Sequence, residues 1–379
     1  MKIGIVTYWK SYSNYGEQLQ SFALQEYLRS MGHEPFLIRY DYEADTIYGT
    51  KPLPVRLLRA CNPKRLAGYF KSRSMNKKRI QEGNAHPRGF ESFREKHISM
   101  SRVYSSIDAL RNDPPEADLY ITGSDQVWNT FGGKLSEMEH RYHAFFLDFG
   151  KEDVKRISYA ASWGRESVPE DEEKLIRGLI PKLDAVSVRE KTGIDLCSRL
   201  GREDACLALD PVLLLDAQAY RKLYREDGAG KCGKKYLFFY YLNNGADFDR
   251  KKVFEWAGKK GLEVVYVTDD WHEDLERTFP DIPGWLELID DAEYVVTNSY
   301  HCGIFSILFG KKFGIIRRKG AHAGMNSRLE TLFGLCGIKP RFIDAEDFDI
   351  LEHPAELTDL EKLKAAKRPE DIIEAVFAH

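Results

Sequence analysis

Residues 292–316 read AEYVVTNSYHCGIFSILFGKKFGII, and this stretch decides the fold. The β-branched and aromatic run Tyr294–Thr297 predicts a strand that ends at the polar residues Asn298–Tyr300. Apolar residues with helical spacing follow over Cys302–Phe309, and Phe313–Ile316 is strand-like again. A strand, a turn, a helix and a strand in this order form the repeating unit of a parallel α/β sheet.

His301 lies at the turn of this unit, beside the predicted start of the helix. In a parallel sheet, ligands bind at the turn that follows the carboxyl end of a strand. The free N–H groups of a helix N-terminus also attract anions such as phosphate or carboxylate. Four basic residues follow closely, namely Lys311, Lys312, Arg317 and Arg318. His301 is therefore a candidate site residue, and a core histidine bonded to backbone is the alternative.

The first forty residues predict another unit of the same kind. Ile3–Thr7 is a strand, residues 8–16 form a polar loop, and Pro35–Arg39 begins a second strand. Between them, Gln18–Met31 has apolar residues mostly three or four apart, and Gly32 ends this helix. We interpret this βαβ unit as the opening of a doubly wound sheet.

The same pattern restarts in the middle of the chain, which predicts two domains. Strands at Ala117–Thr122 and Arg156–Ala161 continue the first set, and Tyr236–Tyr241 and Glu263–Thr268 begin a second set. We predict an α/β fold of two Rossmann-like domains. The predicted division is residues 1–200 with a basic insertion at 46–81, residues 201–360, and a segment at 361–379 whose helix can pack across the junction.

Composition bounds the class of protein. A chain of 379 residues is long enough for two domains with sizeable cores. The net charge of -3 gives no global field that would wrap nucleic acid. No apolar run approaches the roughly 20 residues that span a bilayer, and the apolar start is too short for an export signal. The six cysteines contain no C-x-x-C pair, so we expect a cytoplasmic protein with reduced thiols and no metal site.

Five short motifs carry a resemblance to a known family. They are Asn14-Tyr15-Gly16, Gly123-Ser124-Asp125-Gln126-Val127-Trp128-Asn129, Ser158-Tyr159-Ala160-Ala161-Ser162, Val188-Arg189-Glu190 and Ser299-Tyr300-His301-Cys302-Gly303. In this order, over about residues 1–340, they resemble the polysaccharide pyruvyl transferase family. The resemblance implies a fold similar to GT-B glycosyltransferases, with the active site in the cleft between the domains.

The resemblance also implies a reaction. Phosphoenolpyruvate would give its pyruvyl group to two hydroxyls of a sugar, which forms a cyclic ketal in surface polysaccharide biosynthesis and releases phosphate. Phosphoenolpyruvate is then the donor substrate, and no cofactor is implied. The implied acceptor is a sugar carried on a lipid-linked oligosaccharide.

Phosphoenolpyruvate carries a carboxylate and a phosphate, so its pocket needs fixed cations and N–H donors. Arg189 matches the family position that binds the donor, and a salt bridge with a nearby acid is its alternative. His301 matches a functional histidine, and histidine can serve as general acid toward the donor's methylene carbon. The predicted donor-binding set is Arg189, Ser299, Tyr300, Cys302, Gly303, Arg317 and Arg318.

The chain departs from some relatives immediately before the histidine. They have arginine and leucine at the positions of Ser299 and Tyr300, so one donor-binding arginine is missing here. One of the four basic residues after the helix can replace it, or the helix N-terminus takes a larger share of the binding. A solvated face is the alternative for at least two of the four.

Candidate acceptor residues lie in loops of the first domain. Asp125 is placed to accept the proton of an acceptor hydroxyl, or it caps the following turn. Trp128 stacks on a sugar face or belongs to the core, and Tyr15 faces the cleft or fills the core. The predicted acceptor set is Asn14, Tyr15, Gly16, Ser124, Gln126, Trp128 and Asn129, and the predicted catalytic pair is His301 and Asp125.

The predicted insertion is strongly basic. Residues 46–81 contain ten lysines and arginines, no acidic residue, and interleaved leucines and aromatic residues. Such a segment can dock on anionic lipid head groups, which would place the protein peripherally on the inner face of the cytoplasmic membrane. A solvated helical insertion is the alternative.

Two other functions stay open from the sequence. A GT-B glycosyltransferase that uses a nucleotide sugar would share the fold. A sugar-binding relative without catalysis would fit the departure at Ser299 and Tyr300. Protection of the fold by a nucleoside diphosphate instead of phosphoenolpyruvate would favour the glycosyltransferase.

Overall fold

A computed structural model describes most of the chain. The described residues are 1–48, 83, 85–225, 235–242, 248–270, 273–319, 323–324, 326–343, 347–355, 363 and 368–378. Residues 49–81 of the predicted basic insertion lie outside the described residues. In the described part, two parallel sheets form, and helices pack on them.

Seven parallel strands form the first sheet, in the order β3-β2-β1-β4-β5-β6-β7. They are β1 Lys2–Val6, β2 Glu34–Tyr40, β3 Met100–Tyr104, β4 Leu119–Thr122, β5 Lys155–Ala161, β6 Ala185–Val188 and β7 Cys206–Leu207. The strand order reverses between β1 and β4, and such a switch point opens a crevice at the carboxyl edge of the sheet. Because β7 belongs to this sheet, the first sheet extends beyond the predicted boundary at residue 200.

Five parallel strands form the second sheet, in the order β12-β11-β10-β8-β9. They are β8 Tyr236–Tyr241, β9 Glu263–Thr268, β10 Tyr294–Thr297, β11 Lys312–Ile316 and β12 Phe342–Ile343. The order reverses between β8 and β10, so the turn after β10 lies at the second switch point. The expected α/β fold with two parallel, Rossmann-like sheets is confirmed.

Helices connect the strands of both sheets. They are α1 Tyr15–Ser30, α2 Tyr42–Tyr48, α3 Phe90–His97, α4 Ile107–Asn112, α5 Leu135–Phe145, α6 Glu170–Leu179, α7 Lys191–Arg199, α8 Ala217–Arg221, α9 Lys251–Lys259, α10 Ile282–Asp291, α11 Tyr300–Leu308, α12 Asn326–Cys336 and α13 Pro369–Phe377. The unit predicted from residues 292–316 is present as β10, α11 and β11. Among the described residues, no helix is both long enough and apolar enough to cross a bilayer.

Helix α1 joins the two halves through an aromatic contact. Tyr15 is fully buried and stacks on Trp285 of α10, with ring centroids 5.0 Å apart and planes 6° apart. Its hydroxyl donates to the Pro280 carbonyl at 2.7 Å. The carboxyl-terminal helix α13 returns to the first domain, where Glu370 accepts a hydrogen bond from Tyr27 of α1 at 2.5 Å. The crevices of both sheets therefore meet around the start of α1.

Candidate active site

His301 lies in the first turn of α11, where the two halves of the molecule meet. Ser299 caps this helix by accepting a hydrogen bond from the Cys302 N–H at 3.4 Å. The first turn of α1 faces the imidazole with Gly16, and a Cβ added to Gly16 would lie 2.2 Å from His301 Nδ1. Only glycine permits this approach. Two helix N-termini therefore meet at His301, and the partial positive charge of both favours an anion there.

The other side of the imidazole faces a buried ion pair. Arg189 Nη1 donates to Asp210 Oδ2 at 2.7 Å, and His301 Nε2 lies 3.5 Å from each of these two atoms. Asp125 Oδ1 lies 3.5 Å from Arg189 Nη2. The side chains of Arg189 and Asp210 are 1% and 0% exposed, so solvent screens their charges little.

The pair keeps both of its charges despite burial. Burial alone would raise the pKa of Asp210, but charge interactions and hydrogen bonds with the His301 and Arg189 side chains outweigh burial and hold that pKa well below its usual range. Burial likewise opposes the charge of Arg189, and the Asp210 carboxylate more than offsets it, so the pKa of Arg189 is raised. Arg189 Nε and Nη2 have no hydrogen-bond partner among the described residues. They are therefore donors available to a bound anion.

Two further buried arginines lie near the histidine turn. Arg318 donates to the Asn298 carbonyl through Nε at 3.3 Å and Nη2 at 3.1 Å. The Arg328 guanidinium of α12 and that of Arg189 lie over the Tyr300 ring, 5.3 Å and 4.5 Å from its centroid. Burial and a neighbouring guanidinium lower the pKa of Arg318 to about 9 and that of Arg328 to about 10. A bound anion would relieve this crowding of positive charge.

An acidic pair forms the wall contributed by the first domain. Glu17 follows Gly16 in α1, and its carboxylate accepts a hydrogen bond from Asn14 Nδ2 at 2.8 Å. Burial and the nearby Asp125 carboxylate raise the pKa of Glu17 to about 8. Asp125 Oδ1 also accepts from the Gln126 N–H at 2.8 Å, which is the predicted turn contact. At neutral pH the Glu17 carboxyl of this wall therefore keeps its proton.

Comparison with known proteins agrees with the motifs of the sequence. A family model described as polysaccharide pyruvyl transferase matches residues 14–320, a range that includes Asp125, Arg189 and His301. The chain belongs to the polysaccharide pyruvyl transferase family. The predicted resemblance is confirmed. A search of curated proteins gave no match.

Solved structures match this pyruvyl transferase family member at low sequence identity. The Methanocaldococcus jannaschii UDP-GlcNAc 2-epimerase in complex with UDP-GlcNAc and UDP is 12% identical, with a TM-score of 0.47 and 100% of both chains covered. The Neisseria meningitidis UDP-GlcNAc 2-epimerase bound to UDP-GlcNAc is 12% identical, with a TM-score of 0.46 and coverage of 100% of this chain and 98% of that chain. A spinosyn rhamnosyltransferase is 12% identical, with a TM-score of 0.42 and coverage of 100% and 92%.

The four basic residues that follow α11 lie at different distances from the histidine turn. They are Lys311, Lys312, Arg317 and Arg318. Lys311 and Lys312 lie at the start of β11, which is the sheet edge opposite to His301. Arg317 contacts Glu330 at 3.3 Å, and 36% of its side chain is exposed. Arg317 is therefore engaged at the surface, and both lysines lie away from the histidine turn. Arg318 is the one of the four that reaches the histidine turn.

Two other predicted donor residues face the core of the second domain. Cys302 is fully buried, and burial raises the pKa of its thiol. A Cβ added to Gly303 would lie 3.1 Å from the Ile315 side chain, so this glycine lets α11 pack closely on β11. Both residues therefore pack within the second domain and shape the turn. In the part of the chain that the structure describes, no three His, Cys, Asp or Glu side chains are grouped to hold a metal ion.

Two predicted acceptor residues are core residues. Trp128 is fully buried and stacks on Phe146, with ring centroids 4.8 Å apart, and its indole N–H donates to the Phe145 carbonyl at 3.1 Å. Tyr15 is held between the halves by Trp285. Both rings therefore lie in the core, which is the alternative that the sequence left open.

The remaining residues of the long motif brace the site from the first domain. The Ser124 hydroxyl donates to Asp210 Oδ2 at 3.3 Å and accepts from Arg189 Nη1 at 3.4 Å, so Ser124 supports the ion pair. Asn129 Nδ2 donates to Gln126 Oε1 at 3.2 Å, which fixes the loop after β4. These contacts place the motif at the site, with Ser124 on the donor side.

Sequence reasoning missed three residues of this site. Asp210 belongs to none of the five motifs, and Arg328 lies on a helix outside them. Only the fold brings these two charges to His301. Glu17 had a visible signal, because it directly follows the Asn14-Tyr15-Gly16 motif in the first turn of α1.

Proposed function

We propose that the chain transfers the pyruvyl group of phosphoenolpyruvate to two hydroxyls of a sugar, forming a cyclic ketal and releasing phosphate. Membership of the polysaccharide pyruvyl transferase family supports the group transferred and the class of acceptor. The observation that carries the donor assignment is the cluster of three buried arginines, Arg189, Arg318 and Arg328, around the histidine turn.

The cluster suits a donor with two anionic groups. Phosphoenolpyruvate has a carboxylate and a phosphate, and planar guanidinium groups hold either of them by paired hydrogen bonds. Arg189 supplies two nitrogens, Nε and Nη2, whose N–H groups have no hydrogen-bond partner among the described residues. Arg318 and Arg328 supply the positive charge that the family's arginine before the histidine would give. The departure at Ser299 and Tyr300 is therefore compatible with donor binding.

The first chemical step is protonation of the donor. His301 as imidazolium gives its proton to the methylene carbon of phosphoenolpyruvate, which leaves the adjacent carbon with oxocarbenium character. The buried Asp210 carboxylate, 3.5 Å from His301 Nε2, stabilises the imidazolium before transfer. Asp210 is thus a positioning residue for the acid.

The acceptor hydroxyls then complete the transfer. The first hydroxyl oxygen bonds to the cationic carbon while its proton passes to Asp125. The bond from that carbon to the phosphate oxygen breaks next, and phosphate leaves with the bonding electron pair. The second hydroxyl bonds to the same carbon and loses its proton, which closes the ketal. The methylene carbon gains one proton and the two hydroxyls lose one each. Of the two protons released, one restores the imidazolium of His301 and the other goes to phosphate or solvent.

The lipid-linked acceptor and the membrane contact through residues 46–81 remain proposals, because residues 49–82 lie outside the described residues. The sequence-based argument is their run of basic and apolar residues. Reversing Arg73, Lys77 and Lys78 to glutamate should abolish sedimentation with anionic vesicles. If the unmodified protein shows no salt-sensitive sedimentation, the membrane contact is refuted.

Phosphate release tests the proposed function. The purified protein is incubated with phosphoenolpyruvate and a polysaccharide-derived sugar, and we expect equimolar phosphate and a ketal adduct by mass spectrometry. Stabilisation of the fold by uridine or guanosine diphosphate, without any by phosphoenolpyruvate, would instead support the glycosyltransferase alternative. Sugar binding without phosphate release would support the non-catalytic alternative.

A further inference from the structure

A cavity of about 130 Å³ opens at the carboxyl edge of the first sheet, beside the site described above. It lies between the loop after β1, the start of α2 and the segment from Phe131 to Arg141. Its volume is several times what one water molecule needs. It is also below the roughly 300 to 1,000 Å³ of sites for drug-sized ligands. The cavity therefore suits a single small ring.

Aromatic side chains line the cavity in fixed positions. Phe131 is 53% exposed, and its backbone φ of 52° lies in the left-handed region that bulky residues seldom adopt. The Asn129 side chain holds it there by accepting from the Phe131 N–H at 2.8 Å. The Trp9 indole N–H donates to the Tyr40 carbonyl at 2.9 Å, which fixes that ring as well. The Phe131 backbone is thus fixed at the cavity, and its exposed ring provides a flat apolar face for a ligand.

Polar groups of both signs complete the lining. Asp41 and Glu43 lie 3.1 Å and 3.8 Å from Lys10 Nζ. Arg141 lies over the Tyr42 ring, 4.6 Å from its centroid. With Glu17, which is a neutral carboxyl at pH 7 because of its raised pKa, the lining has three carboxyl groups beside two cations and no excess of positive charge. It therefore favours a neutral ligand that forms many hydrogen bonds over an anion. Sugar hydroxyls donate to carboxylates, and the C–H groups of a pyranose face pack on aromatic rings.

The cavity is connected to the donor site through α1. Glu17 lines the cavity, and its neighbour in the chain, Gly16, is in contact with His301. Glu17 also interacts with Asp125, which lies 3.5 Å from Arg189. A ligand in the cavity would therefore lie on the same side of the cleft as the proposed base and next to the proposed acid.

We propose that this cavity binds the pyranose ring that receives the pyruvyl group, with Phe131 and Trp9 against the ring and Asp41, Glu43 and Glu17 bonded to its hydroxyls. The proposal rests on the proposed function for the identity of the ligand as acceptor. It replaces the buried Trp128 and Tyr15 with residues that have accessible faces. The carboxyl groups orient the ring so that two of its hydroxyls point past Glu17 toward the donor.

Saturation-transfer NMR with methyl pyranosides of glucose, galactose, mannose and N-acetylglucosamine tests the proposal. We expect at least one pyranoside to bind the full-length protein, with the strongest transfer to ring C–H protons. In Phe131→Ala, its dissociation constant should rise roughly five- to tenfold, where tenfold corresponds to about 1.4 kcal/mol. Tyr12→Ala is the matched control, because Tyr12 is also 53% exposed but does not line the cavity, and its binding should be unchanged.

Two outcomes overturn the proposal: none of the four pyranosides binds, or Phe131→Ala binds as tightly as the unmodified protein. Phosphoenolpyruvate affinity, measured by calorimetry on the same samples, separates this proposal from the proposed function. Pyranoside binding without phosphoenolpyruvate binding would leave the cavity as a sugar site and refute the transferase reaction. If phosphoenolpyruvate binds and pyranoside binding is insensitive to Phe131, the cavity is refuted as the acceptor site and the transferase reaction is not.

Discussion

Replacement of Asp210 by asparagine is the substitution whose effect follows most directly from the geometry. Asp210 accepts hydrogen bonds from Arg189 Nη1 at 2.7 Å and from the Val212 N–H at 3.0 Å, and its side chain is 0% exposed. Asparagine has the same shape and keeps one acceptor oxygen. The change therefore removes the charge and leaves the Arg189 guanidinium buried without its main counter-ion. It also sets the new amide NH2 group, which is a donor, against the donor at one of the two oxygen positions, either the Val212 N–H or Arg189 Nη1.

The expected cost can be worked from this arrangement. Removal of one partner from a buried ion pair costs roughly 3–5 kcal/mol. Asp210→Asn keeps one acceptor oxygen, and the Asp125 side chain still lies 3.5 Å from Arg189. We therefore expect a loss of about 3 kcal/mol in the free energy of unfolding, at the lower end of this range. For domains of this size, each kcal/mol lowers the melting temperature by about 2–4 °C. A decrease of roughly 6–12 °C is therefore expected at neutral pH.

Differential scanning calorimetry measures this decrease, with Asp204→Asn as matched control. Asp204 also lies 2.7 Å from an arginine, Arg202, but it is 61% exposed, so its loss should cost at most about 1 kcal/mol. Since the pKa of Asp210 is depressed in the fold, its contribution is complete above the ordinary carboxyl value of about 4 and is lost in stronger acid. The gap in melting temperature between Asp210→Asn and the unmodified protein should thus narrow below about pH 4. Equal shifts in the two variants would refute the reasoning, and so would a gap that acid does not narrow.

Three further predictions concern the remaining charged groups. His301→Ala should stay folded and bind phosphoenolpyruvate moderately less well, while steady-state turnover falls by roughly a hundredfold or more; near-normal turnover would remove His301 from the mechanism. Arg328→Met should weaken phosphoenolpyruvate binding by about tenfold or more in calorimetric titration, because an ionic hydrogen bond to the donor is lost. Arg317→Met, on the exposed side of the same turn, should leave the affinity unchanged, and equal losses in the two variants would contradict the cluster. Because the pKa of Glu17 is raised to about 8 in the fold, the protein should lose stability as the pH rises from about 4 to about 8. Glu17→Gln should therefore gain melting temperature relative to the unmodified protein between pH 6 and 9, and parallel melting curves would argue against the raised pKa.

The interior strands were predictable because they are buried on both faces and rich in β-branched and aromatic residues. The interior strands Tyr236–Tyr241 and Tyr294–Thr297 were predicted with the bounds that the structure has, and so was the edge strand Glu263–Thr268. Met100–Tyr104 was missed because it is a partly exposed edge strand with a polar sequence. The strands Cys206–Leu207 and Phe342–Ile343 have two residues each, too few for any periodicity to show.

The candidate site was predictable only in part. The position of His301 follows from local sequence, because the turn after a parallel strand is recognisable. The partner of Arg189 was not predictable, because Asp210 reaches Arg189 only through the packing of the segment after β7. Exposure also could not be read from the motifs, so Trp128 was assigned to a sugar although its loop folds it into the core. A motif identifies residues that belong together, and burial decides which of them a ligand can touch.

A crystal structure of the protein soaked with phosphoenolpyruvate tests the central claim most directly. The claim predicts the donor's anionic groups within hydrogen-bond distance of Arg189 and of Arg328 or Arg318, with its methylene carbon facing His301. It also predicts the same position for phosphate alone. Phosphoenolpyruvate bound elsewhere, or a cleft that takes up uridine diphosphate and leaves phosphoenolpyruvate in solution, would contradict it.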